Sequence, residues 1–376
     1  MRDARLSGQG KGDDMKKISM RALTASLAVL VSLIGVPLVA EATQTMTLTP
    51  GEVPTAKIST LPTGSTVVFA PGNYTVTNAS LWLPAGTTVQ AAGATISVKT
   101  AGRNLIVPKG DNVTIQGGTW NGDGQAVVRA TEVKNLKVSG STLVGGTQGI
   151  VLATGSTATV ENVTASGGTN NGLHVTGAST ATVSASSFTA YSGHGVGAYA
   201  GSTVTLTSVQ ASSNGVLGLV LENAVATATG CTFSRNNQGI LVNASTLDIS
   251  RSTMSDNKTL GLQGAGKATI NLGGNNQVTR NGTYGLHVGT SSTIPVGQVT
   301  VTVNGPGNTF NSNARHGVSV SAASRLKALH PVVANNNGFN GIMVDLNSRV
   351  ELNGFTATGN ARGAVYLATG GLIVKY

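Results

Sequence analysis

Five histidines, six tyrosines and only fourteen carboxylates set the chemistry open to this chain of 376 residues. Eliminating an oxygen substituent from a sugar acid needs three groups. One neutralises the sugar's carboxylate, a base takes the adjacent proton, and a donor protonates the leaving oxygen; Arg, His and Tyr fill these roles without a metal. Two sets of residues have the right types. In the preferred set, Arg315 neutralises the uronate, His287 or His316 is the base and Tyr284 the donor, with Asn340, Asp345 and Arg362 binding substrate. The alternative set is His174, His194, Tyr199 and Glu222. Either set works only if residues far apart in sequence are brought side by side. A plainer reading is that these histidines are solvated polar residues on an outward column.

A repeat supplies the juxtaposition. From about residue 140 a Gly followed by an aliphatic, any residue and usually a second aliphatic recurs at Gly149, Gly172, Gly195, Gly218, Gly239, Gly261, Gly285, Gly317, Gly341 and Gly363. The spacing is 21 to 24 residues except for 32 between Gly285 and Gly317, where one loop is inserted beside the preferred set. This is the period of a solenoid coil made of short strands and turns. Aligning the glycines predicts two inward columns, from Ile150 to Ala364 and from Leu152 to Tyr366. Between them lies an outward column from Val151 through His174 and His287 to Val365. The expected fold is therefore all-β, a parallel β-helix of about ten or more coils. Asn214, Asn236, Asn257, Asn281, Asn313, Asn337 and Asn360 precede the glycines by three or four residues and read as a structural ladder. Phe188, Phe233, Met254, Phe310 and Phe355 read as an internal stack.

Three regions are expected. Residues 1–42 hold a signal peptide with a possible upstream extension: basic Lys16, Lys17 and Arg21, an apolar run from Ala22 to Val39, and small residues at Ala40 and Ala42, with Met15 as the initiator. Residues 43–140 form an N-terminal cap and first coils, and residues 141–376 the regular coils. Export implies a secreted or periplasmic protein with no membrane span after cleavage. Removing six of the 24 basic and four of the 14 acidic residues leaves 18 against 10, a net +8. That charge favours an acidic polysaccharide or anionic cell-surface polymer as partner. Nucleic acid is disfavoured, because no basic patch is interleaved with aromatics. Cys231 stands alone and reads as a buried thiol.

Two segments near the start, Pro71-Gly72-Asn73-Tyr74 and Gly117-Gly118-Thr119-Trp120-Asn121-Gly122, together with the coils, resemble the pectate-lyase and polygalacturonase superfamily. The resemblance implies a right-handed parallel β-helix. It says less about activity. Gly193-His194-Gly195 matches the polygalacturonase Gly-His-Gly, but the corresponding places in earlier coils are Asn170-Asn171-Gly172 and Thr147-Gln148-Gly149, without a carboxylate. Hydrolysis needs two such acids, and a calcium-dependent lyase needs several, so no metal or cofactor is expected. A polysaccharide lyase acting by metal-independent β-elimination is the enzymatic expectation. A non-catalytic surface, adhesin or matrix protein is the alternative, and a glycoside hydrolase the second. Trp82 and Trp120 lie in the N-terminal portion, away from both sets.

Overall fold

The computed structural model describes residues 42–99, 102–289 and 298–376, so the expected signal peptide lies outside the described residues. Residues 42–376 form one compact unit. Its strands are three to six residues long for the most part and wind as a parallel β-solenoid. One face is a 15-stranded sheet and another a 13-stranded sheet, while the third is divided into sheets of eight and five strands. Each strand pairs in parallel with its counterpart one coil away: Thr157–Glu161 with Thr180–Ser184, and that with Thr203–Thr207, residue for residue. The one helix among the described residues, Thr55–Ser59, buries Ile58 and packs against the strand Leu81–Leu83 near the N-terminal end.

The inward columns are as the alternation requires. Ile150, Leu173, Leu219, Ile240 and Leu286 are fully buried, as are Leu152, Val175, Leu221 and Val288. Phe188, Phe233, Met254 and Phe310 are buried inside the tube, and Phe355 packs against the same core.

The recurring glycines have a steric cause. At Gly195 a Cβ would sit 2.7 Å from Asn214 Nδ2 and from Ala211 Cβ, and at Gly285 one would sit 2.6 Å from the Gly317 carbonyl oxygen. The next coil leaves no room for a methyl group.

The asparagines form a continuous ladder. Each backbone N–H donates to the side-chain oxygen of the next asparagine, Asn214 to Asn236 at 2.8 Å, Asn236 to Asn257 at 3.0 Å, Asn257 to Asn281 at 3.2 Å, and so on to Asn360. The side-chain amides donate both ways, Asn257 Nδ2 to the Phe233 carbonyl at 3.1 Å and onward to Asn281 Oδ1 at 2.9 Å.

The last coil corrects the alignment. Ile342 pairs with Val365 and Met343 with Tyr366, so Val365 takes the first inward position and Tyr366 the outward one. Ala364, and not Gly363, is the counterpart of Gly341, whose Cβ would lie 2.8 Å from the Ala364 carbonyl. Gly363, unlike the repeat glycines, has nothing within 4 Å of where a Cβ would sit. The ladder marks the true register, since Asn337 bonds to Asn360 in step with the strands.

Gly218→Ala should therefore destabilise the protein by about 1–3 kcal/mol, seen as a lower urea midpoint. An unchanged midpoint would show that the column accepts a methyl group.

Candidate functional site

The outer face of the 13-stranded sheet positions the chemistry. Pairing runs from Val151 to His174, Gly197, Val220, Leu241, Gln263, His287, Ser319, Met343 and Tyr366 as one outward column. Beside it runs a second column, the residue just before each glycine, which contains Asn171, His194, Tyr284, His316 and Asn340. Strand alternation makes the first, and the turn entering each strand makes the second.

The preferred set comes together where these columns meet on four adjacent coils. Tyr284 stacks with two imidazoles, His287 at 5.4 Å and His316 at 5.5 Å between ring centroids. His316 meets Phe339 edge-on at 5.4 Å. Arg362 lies over the Phe339 ring at 3.7 Å and Arg315 at 5.8 Å, so two exposed guanidiniums flank one ring. The described residues contain three ion-pair contacts, and none involves Arg315 or Arg362. His316, Phe339, Asn340, Met343, Arg362 and Tyr366 line a pocket of about 270 Å³. Asn340 Nδ2 donates to the Arg362 carbonyl at 2.7 Å. Asp345 lies in the turn after its strand, where Oδ1 accepts from the Leu346 N–H. The loop inserted between Gly285 and Gly317 falls mostly on residues 290–297, outside the described residues.

Sequence reasoning missed Phe339, Met343 and Tyr366. Phe339 is two places before its glycine, in register with Arg315 and Arg362, and could have been found by extending the columns outward. Tyr366 was hidden by the one-residue slip of the last coil.

Burial holds both imidazoles neutral. His287 is pushed down to about 4 by desolvation, and His316 to about 4 by desolvation and then by the charges of Arg315 and Arg362. The Asn340 N–H donates to His316 Nδ1 at 3.3 Å, which puts the proton of the neutral ring on Nε2. His287 Nδ1 lies 3.2 Å from Ser319 Oγ. If that nitrogen donates to Ser319, Nε2 carries the lone pair.

The alternative set also assembles. His174 and Tyr199 stack at 4.8 Å, Asn171 Nδ2 lies 3.0 Å from His174 Nδ1, and Asn171 Oδ1 accepts from the His194 N–H at 3.3 Å. Glu222 pairs in register with Tyr199. Burial, and then the Glu222 charge, raise the Tyr199 hydroxyl to about 12 although its bond from Asn171 opposes them. Burial lowers both histidines, helped at His174 by Arg129 and at His194 by His174. This set lacks an arginine at its centre, as the preferred set does not.

The family model described as a right handed beta helix region matches residues 148–304. The chain is a right-handed parallel β-helix repeat protein. A second model, described as periplasmic copper-binding protein (NosD), matches residues 58–206. Among solved structures the β-helix is similar to two Azotobacter vinelandii mannuronan C-5 epimerase A-modules. That of AlgE6 has a TM-score of 0.56 at 16% identity, covering 83% of this chain and 91% of that one. That of AlgE4 has a TM-score of 0.55 at 13% identity, with 81% and 91% covered. The periplasmic alginate epimerase AlgG has a TM-score of 0.50 at 13% identity, with 88% and 85% covered. These likenesses show the fold. No curated protein matches the chain in sequence.

The residues do not fit a copper centre. Residues 58–206 contain two histidines, His174 and His194, and neither Cys nor Met. Among the described residues no three His, Cys, Asp or Glu side chains cluster as metal ligands would.

The two histidines held at about 4, His287 and His316, have a thermodynamic signature. Their folded pKa values lie below the ordinary 6.5, so the unfolded chain binds more protons between pH 6.5 and about 4. Stability should fall as pH drops through that window. His287→Asn should flatten the dependence of melting temperature on pH there; an identical slope would mean that His287 titrates normally.

Proposed function

We propose that this β-helix acts on an acidic polysaccharide at the Tyr284 site by metal-independent β-elimination. The observation that carries the reading is Tyr284 stacked with two neutral imidazoles beside two guanidiniums that form no ion pair among the described residues. Arg315, with Arg362, neutralises the uronate and acidifies the proton next to its carboxylate. His287 Nε2 removes that proton. The bond from the neighbouring carbon to the bridging oxygen breaks, a carbon–carbon double bond forms, and Tyr284 returns a proton to the departing oxygen. His316, with its proton on Nε2, donates to the substrate, which leaves His287 as the base of the two histidines. The same proton abstraction followed by return from the opposite face would be epimerisation. The mannuronan C-5 epimerases of like fold favour this second reading. Export to a periplasmic or extracellular space, with a net +8 after signal removal, suits an anionic polymer.

The test is incubation of the mature protein with pectate, alginate and glycosaminoglycans. Elimination should raise ultraviolet absorbance from the unsaturated uronate, and His287→Ala should lower kcat/KM by about 10²–10⁴-fold. Loss with His194→Ala alone would move the site to the other set. Inverted uronates without absorbance would establish epimerisation, and neither product would leave a structural or adhesive protein.

Because burial depresses His287, the acid limb of kcat/KM should fall near pH 4, not near 6.5. Added salt should weaken binding of the polymer as the Arg charges are screened. A salt-independent affinity would contradict the role given to Arg315 and Arg362.

A further inference from the structure

The outward column does not begin at Val151. Trp82 pairs with Val107, and Ile106 with Val128, which sets Val107 beside Arg129; Arg129 in turn pairs with Val151. Trp82 thus shares the outer face of the 13-stranded sheet with His287, nine coil steps away. Around it lies a pocket of about 380 Å³, lined by Trp82, Asn104, Val107, Lys109, Arg129 and Glu132 among others. Lys109 Nζ sits 3.6 Å from the centre of the Trp82 ring. Asn104 Oδ1 accepts from the Ala126 N–H at 3.2 Å, so its amide presents Nδ2 as the donor.

We propose that this pocket is a second saccharide subsite, which binds a uronate residue of the same anionic chain that the Tyr284 site works on. The inference rests on the acidic-polysaccharide reading above. Lys109 and Arg129 supply two cations against the single carboxylate of Glu132, and Asn104 supplies a neutral donor. Trp82 supplies a flat apolar face of the kind that packs against the C–H side of a pyranose. In the free protein the Lys109 ammonium covers that face. A carboxylate that pairs with Lys109 draws the ammonium aside and exposes the ring to the sugar. Coils stack about 4.8 Å apart, so nine steps place the two sites roughly 43 Å apart along the sheet. A polymer bound at Trp82 is thereby tethered and presented to His287 at high effective concentration.

Tryptophan emission reads this site. The chain has two tryptophans. Trp120 is fully buried, with Nε1 bonded to the Gly117 carbonyl at 2.9 Å, so Trp82 is the responsive one. The full chain is titrated with oligogalacturonate, oligomannuronate and a neutral oligoglucan of equal length. A saturable change in emission is expected with an acidic oligosaccharide only. Lys109→Ala and Arg129→Ala should each weaken it about tenfold, Trp82→Phe should remove it, and His287→Ala should leave it intact. Equal responses to acidic and neutral sugars would overturn the subsite, as would silence from an oligosaccharide that the protein converts. Emission changes without any product would uphold the subsite and overturn the catalytic reading.

Discussion

Everything in this molecule depends on the in-register stacking of one coil on the next. Each strand satisfies its backbone groups only through its counterparts above and below, and no coil could bury its apolar side alone. Stacking also turns each position of the repeat into a column whose members share one environment. The glycine column is a packing constraint repeated nine times. The asparagine ladder is a single chain of amides in which each member completes the previous one. A defect at any rung is therefore felt by two neighbours.

The same stacking shapes the electrostatics of the candidate site. Tyr284, His287 and His316 do not enter the core, yet their rings cover one another, and both imidazoles lose enough water to stay neutral. A column of aromatic residues on an outer face makes its own region of low polarity. The guanidiniums remain at the rim in contact with solvent. Neutral imidazoles inside and cations outside is the order that the proposed binding and deprotonation of an anionic sugar requires.

The fold was legible because a period of about 23 residues and strict alternation are written into the side chains themselves. Ile150, Leu173, Leu219 and Ile240 could be assigned to one column from spacing alone. The last coil was misaligned because Gly363 imitates the repeat glycine one place before the true register position, Ala364. The asparagines would have prevented the error, since Asn360 stands in the same relation to Ala364 as Asn337 does to Gly341. The Tyr284–His287–His316 stack followed from the columns. The part played by Phe339 did not, because it depends on how two arginine side chains fold over a ring. Nor did the place of Trp82 on the same face, because the coils before residue 140 lack the Gly phrase that reveals register.

Constant rung height has a consequence of its own. Coil length is 21 to 24 residues between most successive glycines and 32 between Gly285 and Gly317, yet the strands stay in step. Distance along the outer face is thus quantised. It is counted in whole coils and is indifferent to how many residues each contains. Duplicating or excising one coil between Trp82 and His287 would move the two residues apart or together by one rung, about 4.8 Å, without altering either neighbourhood. The protein is a graduated ruler, and its span can be reset by repeat number while its chemistry stays fixed.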